Sequence, residues 1–266
     1  MSAIAQATDE PILLRHDEGG IAHLTLNRPN QFNSLSSEML ETLFATLDAI
    51  AAEPAVRVVV IGGAGKAFCA GHDLKEMRAN HAKAFHQGLF RLCTKVMTRI
   101  VSMPQPVIAR IHGIATAAGC QLVSMCDLAV AVESARFAVS GINVGLFCST
   151  PSVGLARNMG RKEAFEMLVT GDFIDAHEAQ RRGLVNRVVP IEGLDEEIGR
   201  LAASIIAKSP KAIAMGKEMF YRQIEMGMDA AYQYAGEVMA CNMMTDDAVE
   251  GIDAFIAKRK PEYKGT

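Results

Sequence analysis

The stretch that most constrains this chain is His112 to Asp127, HGIATAAGCQLVSMCD, because it joins a strand end, a bare backbone turn and a helix. Before it, PVIARIHG (Pro106 to Gly113) is an apolar, β-branched run that reads as a buried strand. After it, DLAVAVE (Asp127 to Glu133) reads as another. Between them lie Ala115, Ala117, Ala118 and Gly119, side chains small enough for a ligand to approach the main chain. Amides in the first turn of a helix lack intrahelical partners and carry positive partial charge, so the turn can receive an oxyanion. The plainer reading is a buried helix packed tightly on a sheet, where alanine is the best helix former. Taken alone, the stretch favours the plainer reading.

The flanking sequence sets this turn in an α/β chain. PILLRH and IAHLTLN alternate with period two across Asp17-Glu18-Gly19-Gly20 and read as a hairpin, ended by Arg28-Pro29. Ser36 or Ser37 can cap a helix whose apolar positions Met39, Leu40, Leu43, Phe44, Leu47 and Ile50 recur at three and four. VRVVVIGG is a third strand. An amphipathic helix is expected after KAFCAGHDLKEM, running through Phe85, Leu89, Leu92 and Val96 to Ile100. GINVGLFCSTPSVG reads as a loop entering a helix, with Ser149 or Thr150 as its cap and Pro151 at its first helical position. LVNRVV is a short strand, and helices follow over roughly 193–208, 210–226, 228–243 and 246–259. We expect a core over 1–192 and a helical capping and oligomerising region over 193–266. No GxGxxG or GxxxxGK[ST] occurs, which lowers a doubly wound nucleotide fold.

Bulk properties exclude several classes. A net charge of −3 leaves no basic excess to attract nucleic acid or an anionic membrane. No uninterrupted apolar run approaches the ~18 residues of a membrane span. The six cysteines form no CxxC pair and no metal spacing, and read as free thiols of a reducing compartment. The acidic segment around Asp9 lacks a signal pattern, so a cytoplasmic location is expected.

Two motifs, Lys66 to Leu74 (KAFCAGHDL) and Gly113 to Asp127 with its GCQLxxxCD core, follow the LNRPxxxNSLS run at Leu26 to Ser36. Together they resemble the enoyl-CoA hydratase/isomerase (crotonase) superfamily, over nearly the whole chain. ATAAGCQL and NVGLFCSTP place the resemblance nearest to its enoyl-CoA hydratase domain-containing protein 3 group. The resemblance implies a spiral of strand–strand–helix turns with a helical C-terminal region, assembled as a homotrimer or homohexamer. It implies a coenzyme A thioester as substrate, with no permanently bound cofactor and no metal. The backbone amides of His72 and Ala118 would bind the thioester oxygen of an enolate. The main chain near Ala70, with Asp73 and Leu74 beside it, would meet the CoA. Asn30, Gln31 and Phe32 would line its path, and Lys258 would reach a phosphate.

Hydratases of this superfamily use two glutamates, and both matching positions differ here: Gln121 and Gly141. An amide does not titrate near neutral pH, and glycine offers no group. Acid–base groups of this kind contribute about 100- to 10000-fold each, so a lyase or isomerase type of enzyme is expected without efficient hydration, with isomerisation, decarboxylation, thioester hydrolysis and weak hydration all open. A non-catalytic acyl-CoA-binding or self-associating protein is the alternative.

Substitutes are few. Ser149 matches a position where other members carry an acid, and Cys148 lies beside it near a helix N-terminus, where a thiol pKa can fall. The plainer reading makes Ser149 or Thr150 a cap and Cys148 an apolar thiol. The His72 ring, His81 and His86 read as packed or solvated histidines, and Asp73 with Glu76 as a capping box. Met226, Met228, Met239, Met243 and Met244 read as packing between helices or subunits.

Overall fold

The computed structural model describes residues 10–266, so Asp9 lies outside the described residues. The first hairpin forms as its turn chemistry requires. β1 (Leu13–Glu18) pairs antiparallel with β2 (Ile21–Leu26), and Gly19 and Gly20 both take positive φ, 58° and 83°. Arg28-Pro29 breaks the strand into a single 3-10 turn at Pro29–Gln31. Helix α1 (Ser37–Ala51) then starts on Ser36, whose hydroxyl accepts the Met39 amide at 3.2 Å. It buries Met39, Leu40, Leu43, Leu47 and Ile50, the face the spacing predicts.

From here the chain repeats one unit. A long buried strand is followed by a short one and then by helix. β3 (Val58–Gly63) and β4 (Ala67–Cys69) lead into α2 (Leu74–Ala79) and α3 (Lys83–Ser102). β5 (Val107–Ile111) and β6 (Ile114–Thr116) lead into α4 (Ala118–Met125). β7 (Leu128–Val132) and β8 (Arg136–Ala138) lead into α5 (Ser149–Asn158) and α6 (Arg161–Thr170). With β10 (Arg187–Val189), the long strands form a six-stranded sheet, order β1-β2-β3-β5-β7-β10, parallel except for the hairpin. With β9 (Ile174–Asp175), the short strands form a second sheet, order β4-β6-β8-β9. β9 (Ile174–Asp175), α7 (Ala176–Arg181) and β10 (Arg187–Val189) close both sheets. This is the expected α/β spiral of strand–strand–helix turns.

The corner between long and short strands is tight. A Cβ on Gly113 would lie 2.4 Å from the Lys66 carbonyl oxygen, so the β5–β6 turn passes the end of β4 only because it has no side chain. The second sheet was not legible in the sequence, since strands of two or three residues carry no alternation.

The helical tail follows the predicted spacing closely: α8 (Leu194–Ile206), α9 (Pro210–Gln223), α10 (Met228–Met243) and α11 (Asp246–Ile256). α8 buries Leu194, Ile198 and Ala202 against the main sheet. α9 is tied to the core by a buried ion pair. Lys217 Nζ donates to Asp127 at 2.6 Å and to the Ile100 and Gln105 carbonyls at 2.8 Å each. Tyr221 donates to the other Asp127 oxygen at 2.8 Å, and Asp127 also accepts the Val107 amide. Every polar group of this cluster is satisfied, which is the condition for a buried charge to be tolerated.

Met228, Met239 and Met244 are 70–83% exposed, which leaves packing between subunits as the remaining half of their expected role. Cys241 is exposed, unlike the other five thiols. None of the described helices is long and apolar enough to cross a membrane.

Candidate functional site

A cavity of about 310 Å3 opens where β4, the start of α4 and the loop before α5 converge. Its floor is Ala70, His72, Ala117 and Ala118. One wall is Leu74 and Met77 of α2 with Phe90 of α3. The other is the segment from Ser140 to Pro151. Ala117 makes this convergence. It sits at φ 49°, ψ −118°, a strained conformation for a residue with a Cβ, and turns the chain from β6 directly into α4. Opposite it, Gly71 at φ 91° approaches so closely that a Cβ there would lie 2.9 Å from the Ala117 Cβ and 3.1 Å from the Ala118 nitrogen.

Two amides meet at this approach without acceptors. Ala118 is the first residue of α4, where no intrahelical carbonyl is available, and its N–H donates to no other group among the described residues. His72 lies beside Leu35 in an isolated parallel bridge. There Leu35 N–H donates to the Gly71 carbonyl at 2.7 Å, and Asp73 N–H donates to the Leu35 carbonyl at 3.2 Å. That pattern steps over the His72 N–H, which likewise donates to nothing in the described chain.

The side chains around the two amides are weakly ionising. No Asp, Glu, Lys or Arg lines the cavity. The His72 ring packs edge-on against Phe90, centroids 5.4 Å apart, and its Nε2 is enclosed without a partner. Burial pushes its imidazole down to about 4 against a small opposing effect of Glu76, so it is neutral at physiological pH. The Cys148 thiol lies 3.5 Å from the Val139 carbonyl, and burial holds its pKa above the ordinary value. The lowered pKa that a helix N-terminus would give is therefore absent. Cys148, not Ser149 or Thr150, occupies the cap position of α5, and no side chain caps that helix; the Ser149 hydroxyl turns back toward the Phe147 carbonyl at 3.4 Å. The expected Ser149 or Thr150 cap is thus corrected. The helix begins at Ser149 itself, leaving Pro151 at its third position.

The cavity gathers Ala70, His72, Leu74, Ala118, Gly141, Cys148 and Ser149 from the residues singled out in the sequence. Gln121, Asp73, Asn30, Gln31, Phe32 and Lys258 do not line it. Gln121 is 5% exposed within α4, its Oε1 buried without a partner. Asp73 caps α2 through the Lys75 and Glu76 amides and pairs with Arg28 at 3.1 Å. Burial opposes its ionisation, but those bonds outweigh it and hold the carboxyl below its ordinary value. The capping box is only half made, because Glu76 accepts the Ser37 amide rather than returning to Asp73. Ala70 has its N–H bonded to the Phe32 carbonyl at 3.0 Å, and its carbonyl accepts Thr116 Oγ1 at 3.0 Å. Phe32 itself is 56% exposed beside the 3-10 turn, and Lys258 follows α11 at φ 54°. The apolar wall of Val144, Leu146 and Phe147 went unread in the sequence. Its signal was an apolar run in a segment with no helix or strand period.

Comparison with known proteins follows the same lines. The family model for enoyl-CoA hydratase/isomerase matches residues 16–266. The Xenopus laevis protein named enoyl-CoA hydratase domain-containing protein 3, mitochondrial, is 46% identical over 253 residues, covering 95% of this chain and 86% of that protein. The solved structure of an enoyl-CoA hydratase from Mycobacterium smegmatis superposes with a TM-score of 0.94 at 59% identity, covering 96% and 99% of the two chains. That of human enoyl-CoA hydratase domain-containing protein 3 gives 0.93 at 42%, covering 95% and 100%. The cytoplasmic expectation is withdrawn, because the frog, rat, mouse, human and zebrafish relatives are all named mitochondrial. Free thiols and near-neutral charge describe any reducing compartment and carry no address.

Proposed function

The chain belongs to the enoyl-CoA hydratase/isomerase family, and from that premise we propose that it acts on an acyl-CoA thioester by stabilising an enolate, without efficient hydration. The observation that carries this reading is the pair of acceptorless amides, His72 and Ala118, at a cavity with no carboxylate in its lining. Charge that develops on a thioester oxygen is best met by donors already in place. Removing one such donor typically costs about 100- to 1000-fold in rate. The proposed oxyanion hole is main chain, so it makes no demand on the side chain at either position.

Hydration needs more: a base for water and an acid for the α-carbon. Gly141 lines the cavity and supplies neither, while Gln121 is an amide and sits outside the lining. In this reading the substrate's CoA runs past Asn30, Gln31 and Phe32 and the Asp73–Leu74 segment, and Lys258 meets a phosphate. No resident cofactor or metal is needed. The core over 1–192 carries the site and 193–266 caps and assembles it. The exposed Met228, Tyr232, Met239 and Phe255 of the tail support assembly as a homotrimer or homohexamer. A non-catalytic acyl-CoA binder is the second reading, favoured by the neutral state of both titratable groups in the lining.

The test is the purified protein with a panel of acyl-CoA thioesters, turnover followed by mass spectrometry and binding by calorimetry. Turnover of any thioester supports the enzyme, and tight binding without turnover supports the binder. Loss of both would contradict either reading.

A further inference from the structure

The direction of the unpartnered His72 N–H is fixed by its own peptide unit. In a trans peptide the carbonyl and the N–H point to opposite sides of one plane. The Gly71 carbonyl and the His72 N–H share such a plane, so the Leu35 N–H that holds this carbonyl at 2.7 Å turns the His72 N–H away from Leu35. The same geometry recurs one step back. The Leu35 N–H shares its peptide with the Ser34 carbonyl, which accepts a hydrogen bond from Arg28 Nη1 at 3.1 Å and another from the Ser36 N–H at 3.1 Å. A guanidinium, two peptide units and the His72 donor thus stand in series, joined by hydrogen bonds.

Arg28 is firmly rooted. Its N–H donates to Asn33 Oδ1 at 2.9 Å and its carbonyl accepts the Asn33 N–H at 2.9 Å. The fully buried Asn33 side chain in turn donates to the Ala64 and Ala67 carbonyls at 2.8 Å each. The other arm of the guanidinium, Nη2, pairs with Asp73 at 3.1 Å. One rigid fork therefore spans both sides of the Leu35–His72 bridge, on Ser34 before Leu35 and on Asp73 after His72. The paired side chains are only 21% and 14% exposed, so salt screens them little. Ala118 has no such support: its peptide partner, the Ala117 carbonyl, accepts the Gln121 N–H at 3.0 Å as part of the helix.

Resting on the reading above, we propose that Arg28 is a positioning residue for the reaction, aiming and polarising the His72 amide through the Ser34–Leu35 and Gly71–His72 peptide units. A hydrogen bond from a charged donor is stronger than a neutral one, and bonds in a chain polarise one another. Charge arriving on a thioester oxygen then meets an N–H whose dipole is already enhanced and whose direction need not be found during the reaction. Asp73 takes up part of the guanidinium charge, so aim is the larger effect and polarisation the smaller. Arg28 does not line the cavity and acts only through His72.

The test is Arg28→Met and Arg28→Lys in the full chain, read by the infrared band of bound butyryl-CoA carrying carbon-13 in its thioester carbonyl. Circular dichroism first establishes that each variant is folded. The wild type should move the band to lower frequency than in water. Arg28→Met should lose a large part of that shift, and Arg28→Lys, which keeps the charge without the fork, should fall between the two. For a thioester that is turned over, Arg28→Met should lower kcat about 100-fold with KM little changed, because a misaimed amide costs the charged enolate far more than the neutral substrate. Arg110→Met is the control, since it breaks a bidentate pair with Asp195 at 2.6 and 3.0 Å without touching this series, and it should keep the wild-type shift. A wild-type shift in Arg28→Met would overturn the positioning role and leave the two-amide reading intact. An equal loss in Arg110→Met would reduce the effect to general stability and overturn it too. Should Arg28→Met not fold, Arg28→Lys decides alone, and an undiminished shift there counts against the proposal. No shift in the wild type would remove the two-amide reading and this proposal together.

Discussion

The Cβ position of Gly141 is already taken by Cys148: a methyl group built on Gly141 would lie 2.8 Å from the Cys148 sulfur. The Leu146 carbonyl oxygen would be closer still, at 2.6 Å, and as backbone it cannot rotate away. The loop from Ser140 to Cys148 is therefore closed around a residue with no side chain, and a carboxylate cannot simply be put back.

This makes the restoring double substitution Gln121→Glu with Gly141→Glu a stringent test. Crotonyl-CoA hydration should stay near background, and the variant should lose about 1–3 kcal/mol of stability through overpacking. Hydration kinetics together with urea unfolding check both parts. Recovery of hydration would mean that the loop opens readily and that only the side chains were missing.

Gly71→Ala acts on the opposite wall. Its Cβ would press on Ala117 and on the Ala118 nitrogen, at a φ of 91° that disfavours any side chain. A loss of about 100- to 1000-fold in turnover is expected if one amide is displaced from the thioester oxygen. The thermal midpoint should also fall, so circular dichroism must first establish that the variant is folded at the assay temperature.

The spiral was legible because the central long strands are short apolar runs rich in valine and isoleucine and the long helices carry apolar faces, as in VVVIGG and in Met39 to Ile50. The amides of the site were legible only through the resemblance, since no composition marks an N–H without an acceptor. Their physical basis is the strained φ of Ala117 and the parallel bridge at Leu35, both products of tertiary packing. The Cys148 cap shows the same limit. Ser149 and Thr150 are better caps by propensity, but the Ser140–Cys148 loop fixes where the helix starts.

Lys217→Met should be strongly destabilising, because it leaves Asp127 buried without its cation. Breaking a buried pair in this way typically costs about 3–5 kcal/mol. Tyr221→Phe removes only one of the bonds to Asp127 and should cost nearer 1 kcal/mol. Equilibrium denaturation of the two variants ranks them, and equal costs would contradict the role given to the ion pair.

Acid should weaken the fold through His72. Its imidazole is held down to about 4, below the ordinary 6.5, so the unfolded chain binds a proton first as pH falls. The stability due to this neutral ring is fully present above pH 6.5 and is lost progressively toward pH 4, by at most about 3 kcal/mol. Below that the contribution is flat. Urea unfolding at pH 7 and pH 4.5 should show a larger drop for the wild type than for His72→Phe, and parallel drops would contradict it.

The most direct measurement is the infrared difference spectrum of bound butyryl-CoA with its thioester carbonyl labelled with carbon-13. Two amides aimed at that oxygen should move the carbonyl band to lower frequency than in water, and Gly71→Ala should reverse the shift. A band unchanged on binding would mean that the His72 and Ala118 amides do not polarise the thioester, and the proposed enolate chemistry would have no site.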